Sequence, residues 1–189
     1  MKIALGSLLA TVAVFVWGAV FWMNPLPYSF LGKTPNDAAV GKALLAQFPA
    51  TGSYFIPGQY NDQKTQTDLC KAGAIATVHI QREGSDMMPP QMFVMGFLHD
   101  LVTVILIGWL LRKALPSLGG YCSRVCFVAM AGLAAGFFCE LTTSIWTFVP
   151  WALPLINTVY IFTAWLVAGL VLAAFVKPKP AAVAPTAQS

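Results

Sequence analysis

Four long runs of apolar residues, 3–23, 92–111, 125–149 and 155–176, constrain this chain more than any other feature. A helix needs about 20 mostly apolar residues to cross a hydrocarbon core, and each run meets that length. Composition agrees: 58% of the 189 residues are hydrophobic and only 10% are charged, where soluble domains carry roughly a quarter charged. Mean hydropathy is +0.71. The expected class is all-α transmembrane, with helices at 1–23, 92–111, 125–149 and 155–176 forming a four-helix bundle. Lys2 precedes the first run as it would in a secretory signal. The apolar part exceeds the usual stretch of about 7–15 residues, however, and no small-x-small cleavage site follows Trp22-Met23-Asn24-Pro25. The first helix is expected to remain as an uncleaved signal anchor.

Charge sets the expected orientation. With the N-terminus inside, Lys2, Arg112, Lys113, Arg124, Lys177 and Lys179 all fall on the cytoplasmic side, in the N-terminus, the loop 112–124 and the tail 177–189, with no acid among them. This is the positive-inside pattern. The connection 24–91 sets Lys33, Lys42, Lys64, Lys71 and Arg82 against Asp37, Asp62, Asp68, Glu83 and Asp86. It is neutral and belongs outside, as does the short turn 150–154. Trp17, Trp22, Tyr28, Trp146, Trp151 and Tyr160 then gather near the outer boundary as an aromatic belt. The expected location is a bacterial inner membrane, with both termini cytoplasmic and residues 24–91 in the periplasm. These orienting residues account for the net charge of +4, so no nucleic-acid partner is inferred.

The external segment should fold as a small extracytoplasmic α+β cap. Thr34-Pro35-Asn36-Asp37 has the form of a helix start, with Thr34 as N-cap and Pro35 at the first helical position. Val40, Leu44 and Phe48 then recur at helical spacing until Pro49. Residues 74–81 alternate, with Ala76, Val78 and Ile80 on one face, as in a half-buried strand with which residues 53–56 could pair. The polar stretch 59–67 reads as a surface loop. After the last span, Lys177-Pro178-Lys179-Pro180 stops the helix and leads into an Ala/Pro tail expected to be disordered.

Phosphate-loop, dinucleotide and zinc-protease motifs are lacking, so no enzyme activity and no cofactor are expected. The four cysteines, Cys70, Cys122, Cys126 and Cys139, contain no C-x-x-C pair of the kind a thiol oxidoreductase uses. The membrane cysteines read as packing residues, while Cys70 is a lone external thiol.

Ionisable groups inside apolar runs point to a functional or assembly site. Asp100 lies nine residues inward from Gln91 and Glu140 nine before Val149, each roughly 13–14 Å deep. On the third span Gly132, Gly136, Glu140, Thr143 and Thr147 fall on one stripe, and such small and polar stripes are where membrane helices meet. The second span offers Gly96, His99, Asp100 and Thr103; the fourth offers Asn157, Tyr160, Ala164 and Ala168. One outward-facing polar cluster of His99, Asp100, Glu140, Thr143, Asn157 and Tyr160 is therefore expected. Interhelical hydrogen bonding is its plainest use; exchange of protons or cations is the alternative. Met88, Met92, Met95 and His99 share a helical face and suit Cu(I). Pro89-Pro90 interrupts that face, and methionine stripes in membranes are ordinarily packing, so no metal is assigned.

The run Trp17-Gly18 through Trp22-Met23-Asn24-Pro25-Leu26 to Phe30-Leu31-Gly32-Lys33, with Gly132-x-x-x-Gly136 and Leu155-Ile156-Asn157-x-x-Tyr160 leading to Gly169, resembles small bacterial four-helix inner-membrane proteins of uncharacterised function. The likeness covers the first span and the last two. The external insertion and His99-Asp100 depart from the pattern. It implies four helices and a bacterial origin, and no activity. The expected role is a non-enzymatic accessory, assembly or structural protein. Its partners would be the lipid bilayer and either another membrane protein or a second copy of itself. The alternative is a small transporter coupled to protons or metal ions through His99, Asp100 and Glu140.

Overall fold

A computed structural model describes residues 2–178. The predicted tail lies, from residue 179 onward, outside the described residues. Four helical stretches are long and apolar enough to cross a membrane: Ile3–Trp22, Pro90–Ser117, Tyr121–Thr147 and Ala152–Phe175. They start and end within a few residues of the expected spans, except that the second runs six residues further, through a 3-10 turn at Leu115–Ser117. Helix α1 (Lys2–Trp22) lies between α4 (Pro90–Ala114) and α7 (Ala152–Phe175). Helix α5 (Tyr121–Gly136) packs on the other side of α7, and α4 and α5 touch only sparsely although they are consecutive.

The core comes from all four stretches and sits toward the end where α4 stops and α5 starts. Ala10 and Val14 meet Val104, Ile107, Leu111, Val128, Ala168 and Leu172 there. Close packing of these side chains holds the helices together there. Glycine makes that packing possible: a Cβ at Gly132 would sit 2.4 Å from the Trp165 side chain, and one at Gly136 3.3 Å from Thr158. The paired glycines thus let α5 approach α7, as their spacing predicts. Ala164 and Ala168 are buried on the α7 side, while Gly96 meets only Phe15 of α1, at 3.7 Å.

The segment between α1 and α4 is α+β. Helix α2 (Asp37–Gln47) is capped by Asn36, whose side chain accepts from the Ala39 amide. The expected cap, Thr34, lies two residues too early; its hydroxyl bonds the Asp37 carboxylate instead. Strand β1 (Gly52–Ile56) pairs antiparallel with β2 (Ala76–Ile80), with Ser53 opposite His79 and Tyr54 opposite Val78. The expected loop 59–67 is a correction: only its first part is irregular, and helix α3 spans Gln63–Ala72. Its start is fixed by Asp62, which accepts from the amides of Lys64 and Thr65 at 3.1 and 3.0 Å. Gly73 ends it at φ 112°, a conformation open to glycine. No residue of α2 or α3 is buried.

Candidate functional site

Helix α4 begins at Pro90, so Met88 lies before it and Met92, Met95 and His99 lie on it. Those three side chains are all exposed on the outside of the assembly. His99 is turned away from the other helices, with its side chain 78% exposed, while that of Asp100 is 19% exposed. Their closest approach, Nδ1 to Oδ1, is 3.4 Å, long for a charge-assisted hydrogen bond. Asp100 faces inward, into a cavity of about 120 Å³ whose lining includes Val14, His99, Asp100, Thr103, Tyr160 and Trp165.

Tyr160 reaches this cavity because α1 carries no side chain in its path. A Cβ at Gly18 would sit 2.9 Å from the Tyr160 hydroxyl. The ring stacks at centroid distances of 5.2 Å on Phe21 and 5.4 Å on Trp22. One turn further along α7, Thr163 accepts a hydrogen bond of 3.0 Å from the Trp17 indole. Gly18, Trp17 and Thr163 thus hold Tyr160 in place. The sequence offered Trp17 and Gly18 only as a boundary aromatic and part of a resemblance, and the signal for their role was the small residue between large aromatics.

Glu140 belongs to a second centre. It lies in a π-helical turn, Phe137–Leu141, between α5 and the short α6 (Thr142–Thr147). Its carboxylate accepts 2.8 Å from Asn157 Nδ2 of α7. The Thr143 hydroxyl donates to the Glu140 backbone carbonyl and does not meet the carboxylate. Neither Glu140 nor Asn157 lines the cavity of Asp100. The single expected cluster is therefore two: His99, Asp100, Thr103 and Tyr160 in one, Glu140 and Asn157 in the other. Tyr160 and Asn157 link them along α7, one turn apart.

The separation follows from α5 packing on α7 and scarcely touching α4, and the π turn explains why Thr143 leaves the stripe. A π turn holds one residue more than an α turn, which sets back everything beyond it by about 100°. In an uninterrupted helix Thr143 would continue the stripe of Gly132 and Gly136. Here Ser144 takes that place: it is buried, while Thr143 and Thr147 are only half-buried. The stripe thus ends at Glu140 and restarts one residue out of step. Counted from the helix ends at Pro90 and Thr147, Asp100 lies about 15 Å in and Glu140 about 10 Å, so the two are not level.

A larger concavity lies elsewhere. A groove of about 480 Å³ between α1, the turn at Pro27–Phe30 and the start of α7 is lined by Trp17, Phe21, Phe30, Leu155 and Val159 among others. It bears no titratable side chain, so the cavity of Asp100, though smaller, is the place where chemistry could occur. Among the described residues no three His, Cys, Asp or Glu side chains gather as a metal-binding group. No family model, no curated protein and no solved structure matches the chain.

Proposed function

We propose that this chain is a non-enzymatic accessory, assembly or structural protein of a membrane complex. In this reading its four apolar helices span a bacterial inner membrane as a bundle, with both termini cytoplasmic and the α+β cap outside. The observation that carries it is the poverty of the cap's own core. Phe48, 8% exposed, is its one buried large apolar side chain among the described residues. Leu45, Phe55, Tyr60, Leu69, Ile75 and Met87 are exposed, Tyr60 to 92%. A two-stranded sheet without a helix packed across it is marginal by itself, and so many large apolar side chains left exposed on one small segment favour a partner. A partner, either another membrane protein or a second copy of the chain, supplies the missing half.

The test is the native size and the companions of the full chain purified in mild detergent. The parent should run as an oligomer or with a stoichiometric membrane partner, and Phe55→Asp with Ile75→Asp should release it. Both positions are exposed, so the chain itself stays folded. A lone monomer that is indifferent to these changes would sink the proposal. Labelling of Cys70 from outside intact inner-membrane vesicles of known sidedness checks the orientation.

A second reading, a proton- or cation-coupled transporter, rests on the cavity that brings Asp100, His99, Thr103 and Tyr160 together. Solute-dependent proton flux in proteoliposomes, abolished by Asp100→Asn, would establish it in place of the first.

A further inference from the structure

The end of the assembly where α4 stops and α5 starts holds a buried charge that no ion pair among the described residues balances. Arg124 is 6% exposed, and its Nε has no hydrogen-bond partner among the described residues. Neither ion pair among the described residues, Lys64–Asp68 or His99–Asp100, involves it. No Asp or Glu stands near it in sequence: there is none between Asp100 and Glu140, and none after Glu140. Its charged neighbours in sequence are cations, Arg112 and Lys113 in the last turn of α4.

The start of α5 adds an independent demand for negative charge. Gly120 provides no side-chain cap, and the amides of Tyr121, Cys122 and Ser123 have no backbone acceptor among the described residues. Arg124 is the fourth residue of α5, and helical side chains lean toward the N-terminus, the direction of the turn that carries those amides. The guanidinium and the positive end of the helix dipole then share one locality. Two positive features side by side, one of them buried, are unfavourable unless an anion joins them.

We propose that Arg124 and the N-terminus of α5 form a binding site for a phosphate group. The planar guanidinium edge takes two phosphate oxygens in parallel, and the free amides of the first turn take the remaining negative charge. Tyr121 anchors the turn by donating 2.7 Å to the Leu170 carbonyl of α7, so the amides are held against a neighbouring helix. The chemistry fits two sources. One is the headgroup of an anionic phospholipid, which basic pockets at the ends of membrane helices recognise; the other is a soluble phosphate.

The test uses the full chain in neutral maltoside detergent with two probes, phosphatidylglycerol and, at matched ionic strength, sodium phosphate. Phosphatidylglycerol should raise the parent's Tm by about 5 °C and remain as an adduct in native mass spectrometry. Arg124→Leu should lose both the rise and the adduct. Arg124→Lys keeps the charge but not the fork, and should retain a smaller rise; it also serves if Arg124→Leu fails to fold. Lys33→Gln, at a distant position, should leave the rise intact. An equal rise with sodium phosphate supports the site and assigns it to a soluble ligand, whereas a rise with phosphatidylglycerol alone assigns it to lipid. No rise with either probe, or an equal rise in the parent and both Arg124 variants, overturns it.

Discussion

The four long helices and the segment between the first two of them differ in how they hold their shape. In the helices, Ile107, Leu111, Val128 and Leu172 are enclosed almost completely, and glycines at the contacts bring backbones together. In the cap, polar bonds do the same work. The Arg82 guanidinium donates to the carbonyls of Leu45, at 2.8 Å, and Phe48, at the end of α2. Thr51 bonds both the Arg82 amide and, at 2.7 Å, the Glu83 carboxylate. A region held by packing keeps its form alone. A region held by a few exposed polar bonds is adaptable, as a surface that closes on a partner needs to be.

The comparison can be broken most directly in the core. Leu172→Ala should cost about 3 kcal/mol, read as thermal unfolding of the helical signal in detergent. Gly132→Leu, forced against Trp165, should cost about 2 kcal/mol. In the cap, Arg82→Ala should cost only about 1 kcal/mol and should leave helical-core unfolding unchanged. If Arg82→Ala unfolds the helices as severely as Leu172→Ala, the two regions are one cooperative unit and the contrast fails. Between the helices, a double-mutant cycle of Glu140→Gln and Asn157→Ala should show coupling of about 0.6 kcal/mol.

Acid should give the smallest effect, confined to the cap. The Thr65 hydroxyl and amide beside Asp62 hold its carboxyl below the ordinary value, and the Thr51 hydroxyl does the same for Glu83. Groups lowered in the folded state stabilise above their ordinary value and lose that contribution as pH falls through the lowered one. The start of α3 and the Thr51 link should therefore loosen below about pH 4, seen as faster amide exchange at Lys64 and Thr65. Both carboxylates are exposed, so the effect is slight and fades in high salt.

The sequence made the four helices legible because length and apolarity suffice to define them, and it made β2 legible through alternation, with β1 as the stretch that could pair with it. Helix α3 escaped because Gln63–Ala72 is polar. Its signals were local: Asp62 as N-cap, the Lys64–Asp68 pair at 2.9 Å and Gly73 after the end. The candidate residues were found because ionisable groups in apolar runs are conspicuous. Their grouping was not, since a period of 3.6 residues assumed through Phe137–Leu141 carries Glu140 and Thr143 onto one line that the π turn divides. His99 lines the edge of the cavity while mostly exposed, and Asp100 faces inward, because their adjacency separates them by about 100° around the helix.

That extra residue in the π turn also has a meaning for sequence change. Deleting one residue within Phe137–Leu141 would convert the π turn to an α turn, leave α5 and its glycine contacts untouched and keep the segment beyond in register, with Ser144 still in its buried place. Elsewhere in α5 or α7 the same deletion would dislocate every contact past it. The chain thus contains one point at which its length can change by a residue while the helix remains a helix, and that point is beside Glu140.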